Sequence, residues 1–226
     1  MKQRVYLETS IVSYLTSRPS RDLIVAAHQE VTRQWWERRD QYDLYVSEYV
    51  LSEASGGDPT FAKSRTAMLA GMHELPVTEE ATDLGLAIVL EGLLPQKAAI
   101  DSLHMAMAVV HEMDVLLTWN CRHLANATIQ RGLASYLWSR DCGVLVVTTP
   151  EQMVGAMWED PIVAEVRKIR DKIAKRFNYD IRAIAEYMRE REKTSGHPIV
   201  SPPRRRGKAR RSSGGSPRRR SAGPRS

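Results

Sequence analysis

Short apolar runs alternate with amphipathic stretches along residues 1–153. RVYLE (4–8), DLYVS (43–47), VLLT (115–118) and VLVVT (144–148) are almost continuously apolar and are bounded by polar residues. Strands buried on both faces of a parallel sheet carry this pattern. ELPVT (74–78) is a weaker strand of the same kind. Between these runs the period becomes helical. Residues 22–39 place Leu23, Ala26, Ala27 and Val31 at helical spacing, and residues 79–91 do the same with Ala81, Leu84, Ala87 and Ile88. A third helix is expected from Pro95 through QKAAIDSLHMAMAVVHEM. The alternation predicts an α/β sandwich built on a parallel sheet.

The pattern changes after residue 155. EDPIVAEVRKIRDKIAKRF offers Asp160 as a helix N-cap and Pro161 as the first helical residue. Ile162, Val166, Ile169, Ile173 and Phe177 then form a narrow apolar stripe on a highly charged helix. NYD (178–180) interrupts it, and Asp180 can cap a second helix carrying Ile181, Ile184, Ala185 and Met188. Two such thin helices cannot build a core alone, so they need a surface to lie on. Beyond Pro198 the chain is mostly Pro, Arg, Ser and Gly, a composition expected to be disordered. The expected organisation is therefore a domain over 1–153, a helical segment over 157–196 and an Arg-rich tail over 197–226.

Charge follows the same boundaries. The net charge is +6, but residues 197–226 hold nine Arg, one Lys and no acid. The remaining 23 basic residues face 27 acids, leaving residues 1–196 at about −4 and the tail at +10. Such a tail binds polyanions by counterion release, without reading sequence. No apolar run approaches the roughly 18 residues of a membrane span, and the first residues lack the apolar stretch of a signal peptide. Two cysteines, Cys121 and Cys142, lack metal-ligand spacing and suit a reducing cytoplasm.

Ligands of open parallel sheets bind beyond the carboxyl ends of the strands. Glu8 ends the first strand. Glu53, in VLSEAS, follows the second strand at the start of a helix. Asp101 is the one charge in the apolar AAIDSLHMAMA helix, and Thr118 and Asn120 close LLTWN. Each acid has an ordinary reading: Glu53 as a solvated helix residue, Glu8 as a strand-end acid, Asp101 as a cap or buried hydrogen-bonding group. Together, three carboxylates and an amide form an oxygen-rich cluster suited to Mg²⁺ or Mn²⁺. Such an ion orients a phosphodiester, activates a water and stabilises developing charge. The hydroxyls of Thr9, Ser10 and Thr118 could position a carboxylate, a water or a phosphate.

The strand-then-LETS opening, the LSEAS helix start, AAIDSLHMAMA and LLTWNCRHLAN resemble the PIN-domain family, and in particular VapC-type toxins, which are metal-dependent ribonucleases. The resemblance covers roughly residues 1–153. It implies a three-layer α/β/α PIN-like sandwich and a hydrolase cutting RNA with a metal-activated water. The family's acidic positions fall on Glu8, Glu53, Asp101 and Asn120. Glu8, Asp101 and Glu53 would hold the ion, and Asn120 would serve as a neutral ligand or water-positioning group. Glu8 stands where the family has Asp, one methylene shorter, and Asn120 where it usually has Asp. The competing expectation is a catalytically degenerate PIN fold acting as a binding or dimerisation module.

The block from Met157, MWEDPIVAEVRKIRDKIAKRFNYDIRAI, resembles the short polypeptides encoded beside PIN toxins. This implies an antitoxin-like segment fused in cis, with Arg167, Arg170, Arg176 or the tail approaching the acidic pocket; the bland reading is a helical pair that stabilises or dimerises the domain. The expected partners are RNA, a second copy forming a homodimer, and this segment or a separate antitoxin.

Other features carry less. His104 and His111 read as packing or surface histidines. Cys121 near His123 shows no base–orienter arrangement for a nucleophile. Trp35 and Trp36, beside Arg33, Arg38 and Arg39, read as core or dimer packing, or else as an RNA-facing patch. SRPSRD (17–22) is a basic loop, either solvated or in contact with phosphate. Met105, Met107 and Met113 read as core.

Overall fold

The computed structural model describes residues 1–140, 142–154, 161–194 and 196, and the chain divides into two units, Met1–Pro161 and Ile162–Ser226. In the first unit, β1 (Gln3–Leu7) is followed by α1 (Thr9–Thr16) and α2 (Leu23–Trp36). Next come β2 (Tyr42–Ser47), α3 (Glu48–Ser55), α4 (Pro59–Leu69) and β3 (His73–Leu75). Then follow α5 (Glu79–Leu90), α6 (Ala99–Val110), β4 (Val115–Leu117), α7 (Ala127–Ser139), β5 (Val146–Thr148) and α8 (Pro150–Val154).

The described strands form one five-stranded sheet in the order β3-β2-β1-β4-β5, and every pairing is parallel. Val5, Tyr6 and Leu7 are consecutive and all fully buried. Successive strand side chains point to opposite faces, so both faces of β1 are covered by helices. The result is the α/β/α sandwich that the apolar runs predict, with the sheet parallel throughout. Fully burying each aliphatic side chain of β1 and β4 contributes about 1.5–3 kcal/mol.

Helix starts are written in side chains. Asp22, Asp58, Thr78 and Asn126 each accept from backbone amides of the first turn that follows them. Pro95 does not open an α-helix directly: a 3₁₀ turn, Gln96–Ala98, intervenes before α6. That helix lies against α5 so closely that a Cβ on Gly85 would sit 2.8 Å from Leu103 Cδ2. Trp35, Met105, Met107 and Met113 are core, and Trp36 packs against it.

The strand order places the site. Successive crossovers run from β1 outward to β2 and β3, then return to the other side of β1 for β4 and β5. The chain therefore diverges between β1 and β4, the switch point at which parallel sheets open a crevice beyond their carboxyl ends.

The second unit contains α9 (Pro161–Arg176) and α10 (Ile181–Thr194), neither with a buried residue. Asn178 and Tyr179 turn the chain at φ 49° and 60°, and Asp180 caps α10 through the amides of Arg182 and Ala183. Phe177 and Tyr187 rings lie 5.0 Å apart, with the Arg176 guanidinium over both. Within the apolar stripe Ile162, Ile169 and Ile181 are all more than half exposed, and Ile173 and Phe177 are partly buried. Asp160 and the tail over 197–226 lie outside the described residues.

Candidate metal centre

Glu8 is the residue at which β1 becomes α1. Its amide donates to Leu117 O at 3.0 Å, extending the sheet by one bond, and its side chain caps α1 by accepting from Ser10 N at 3.1 Å. The other oxygen accepts from the Ser10 hydroxyl and, at 2.7 Å, from Thr118 Oγ1. Three donors thus meet an acid that is 9% exposed, which lifts the cost of burying it. Thr118 occupies the equivalent place beyond β4. Its amide donates to Thr148 O at 3.0 Å, and its hydroxyl also accepts from Asn120 N at 2.9 Å.

Glu53 comes from α3. The sequence places it at a helix start; it sits instead in the last turn of an eight-residue helix that begins at Glu48, directly after β2. Its Oε2 accepts from the Thr9 hydroxyl and from His104 Nε2 at 3.2 Å. Partial burial raises the Glu53 carboxyl, but the hydrogen bonds from His104 and Thr9, with the electrostatic pull of the imidazole acting the same way, outweigh it and hold the group below the usual range.

His104 is the residue whose role the sequence reading missed. It is 1% exposed and lies on α6, three residues beyond Asp101. Its Nδ1 is 2.9 Å from the Tyr6 hydroxyl, which is 2.6 Å from Ser47 Oγ. Burial pushes the Tyr6 phenol well up, against the Ser47 hydrogen bond, and the Glu8 and Glu53 charges act in the same direction. Tyr6 is therefore a neutral donor. With Glu53 ionised and accepting from Nε2, hydrogen-bond logic assigns a directed chain: Ser47 to Tyr6, Tyr6 to His104, His104 to Glu53. Ser47 makes no cap to α3, consistent with its hydroxyl being turned to Tyr6. The one signal in the sequence was a lone imidazole within the apolar run of α6.

Glu8, Glu53 and His104 each present a ligand atom within 4.8 Å of the others, a grouping that could hold a metal ion. Asp101 is outside that trio. It stands in the first turn of α6, where Asn120 Nδ2 donates to Oδ1 at 2.9 Å and His123 Nδ1 donates to Oδ2 at 2.6 Å. Asn120 also accepts from His123 N through its side-chain oxygen, at 3.1 Å. His123, set aside in the sequence as a neighbour of Cys121, is thus the orienting partner of Asp101; Cys121 is exposed. His111 Nε2 donates to Pro76 O, 2.9 Å away, outside the cluster.

The donor set fits a divalent ion. Both hydrogen bonds to Glu53 fall on Oε2, leaving Oε1 for an ion, and the side chain is 39% exposed, so the cluster is open to solvent on one side. Two carboxylates suit Mg²⁺ or Mn²⁺; His104, with both ring nitrogens committed to Tyr6 and Glu53, orients a carboxylate ligand rather than serving as one.

No protein-family model and no curated protein matches the chain. Among solved structures, it is similar to the crystal structure of VapBC2 from Rickettsia felis bound to a DNA fragment from their promoter, with 15% identity over 65% of this chain and 98% of that one, and a TM-score of 0.42. Among the described residues no helix is long and apolar enough to cross a membrane.

Proposed function

We propose that this chain is a metal-dependent endoribonuclease of the PIN type, acting in a toxin–antitoxin setting. The observation that carries the reading is the meeting of Glu8, Glu53 and His104 beyond the end of the central strand, at the switch point of the sheet. The order and spacing of the LETS, LSEAS, AAIDSLHMAMA and LLTWN segments support it.

Glu8 and Glu53 would hold Mg²⁺ or Mn²⁺, which when bound supplies Lewis-acid activation of a phosphodiester and its attacking water. Ser10 and Thr118 fix the Glu8 carboxylate, and Thr9 and His104 fix that of Glu53. Asp101, held by Asn120 and His123, would take up or position the proton of the attacking water, or complete the ligand set. Asn120 would act chiefly by orienting Asp101.

The helical segment over 157–196 would serve as the antitoxin-like part, covering its apolar stripe on a toxin-like domain, in cis or on a second copy. A truncation ending near residue 155 is then more active than the full chain, and equal activity would refute that role.

The test of the main reading is cleavage of RNA by the full chain with Mg²⁺, Mn²⁺ or EDTA, beside Asp101→Asn. Cleavage that needs the metal and is lost in the variant supports the nuclease. RNA binding indifferent to chelator, with no cleavage, would support the binding module instead.

A further inference from the structure

A second polar surface begins where the candidate metal centre ends. Thr9, Ser13 and Thr16 recur at helical spacing along α1, so they share one face. Thr9 touches Glu53 at one end of that face. Ser13, Thr16 and Ser17, at the other, line a hollow of about 560 Å³ with Arg18, Phe61 and Arg65. Eight residues at 1.5 Å each put Ser17 about 12 Å along the axis from Thr9, a span that a few nucleotides of extended strand cover.

Both arginines are held in place. The loop carrying Arg18 is fastened by Gln29, which is 2% exposed. Gln29 Nε2 donates to Ser17 Oγ at 2.7 Å and to Arg18 O at 2.8 Å, and its oxygen accepts from Ser20 N at 3.0 Å. The Arg18 guanidinium lies over the Phe61 ring, 5.6 Å from its centroid. No acid among the described residues pairs with it. Arg65 donates to Ala54 O and Gly56 O, bracing the α3–α4 turn in which Gly57 takes φ 78°. Asp58 also borders the hollow, but its carboxylate is turned to the amides of Thr60 and Phe61. The hollow therefore joins two oriented guanidinium groups, while the Ser13, Thr16 and Ser17 hydroxyls donate to Thr9 O, Val12 O and Tyr14 O and the one acid is committed to a helix cap.

We infer that this hollow is a phosphate subsite for single-stranded RNA, binding the backbone on one side of the scissile position. The inference rests on the nuclease reading for the identity of the strand. Planar guanidinium groups recognise phosphate oxygens in pairs of hydrogen bonds. An Arg preorganised on a ring, by a buried glutamine, loses less freedom on binding than a free surface lysine.

The experiment is a metal-free titration of the full chain with a short fluorescein-labelled single-stranded RNA in EDTA, read by anisotropy over a range of salt. Arg18→Gln is compared with Arg21→Gln in the same loop and Arg219→Gln in the tail, which remove the same charge elsewhere. Arg18→Gln is expected to weaken binding about five-fold and to lower the salt slope by about 0.7, the value of one single-strand phosphate contact. The two comparators are expected to change affinity by less than about two-fold. Equal losses in all three variants, or no loss in Arg18→Gln, would overturn the subsite. Because no metal is present, a failure of catalysis leaves this result unaffected, and the cleavage assay with Asp101→Asn reports separately on the nuclease.

Discussion

Thr118 Oγ1 donates to Glu8 Oε2 across 2.7 Å, so the residues that follow adjacent parallel strands β1 and β4 are locked together above the sheet. The register explains it. Leu7 pairs with Leu117, and the next step along both strands brings Glu8 opposite Thr118. The bond ties a buried acid to the strand crossing the switch point.

Thr118→Val keeps the shape and removes the hydroxyl. It leaves Glu8 short of a donor and Asn120 N short of an acceptor. The expected cost is about 1–3 kcal/mol of stability, measured as a shift in the urea midpoint at unchanged slope. Thr118→Ser should recover most of it. A Val variant as stable as the wild type would mean that Glu8 is solvated after all.

Tyr6→Phe cuts the chain from Ser47 to Glu53 at its buried middle. His104 Nδ1 then faces an apolar edge. The expected loss is again about 1–3 kcal/mol. The more telling readout is the rise in melting temperature on adding Mn²⁺, which should shrink because His104 no longer holds Glu53 in one orientation. An unchanged Mn²⁺ shift would separate His104 from the metal site.

The Glu53 carboxyl is held below its usual range when folded, by His104 and Thr9 against the effect of burial. Its contribution to stability is therefore fully present above the unfolded pKa and is lost as pH falls through the folded one. Between neutral pH and the acid side of the ordinary carboxylate range, Glu53→Gln should lose less stability than the wild type. Parallel pH profiles would remove Glu53 from the acid response.

Much of this arrangement was legible in the sequence. The apolar runs located β1, β2, β4 and β5, because a parallel strand buried on both faces does not alternate, while the weaker ELPVT run (74–78) met β3 only at Glu74 and Leu75. Their ends were less legible: VLVVT starts pairing only at Val146, with Val144 and Val146 exposed at the sheet edge. Helix α1 was not anticipated, because Glu8 reads as the end of a strand and only the structure shows its carboxylate capping the turn that follows. Glu8 and Glu53 were singled out, and they do meet. His104 and His123 were not, since an imidazole beside apolar residues reads as packing until its partners on distant segments are known. Those partners, Tyr6 and Glu53 for one and Asp101 for the other, are brought to them by tertiary folding, not by local spacing.

The proposed divalent-cation site joins Glu8 and Glu53. Its most direct measurement is a Mn²⁺ titration of the full chain by calorimetry, beside Glu8→Gln, with circular dichroism verifying the fold of both. A saturable Mn²⁺ site is expected in the wild type and weakens at least about ten-fold in the variant, through the loss of a charged ligand. Identical Mn²⁺ binding by two well-folded proteins, or none by either, would contradict it.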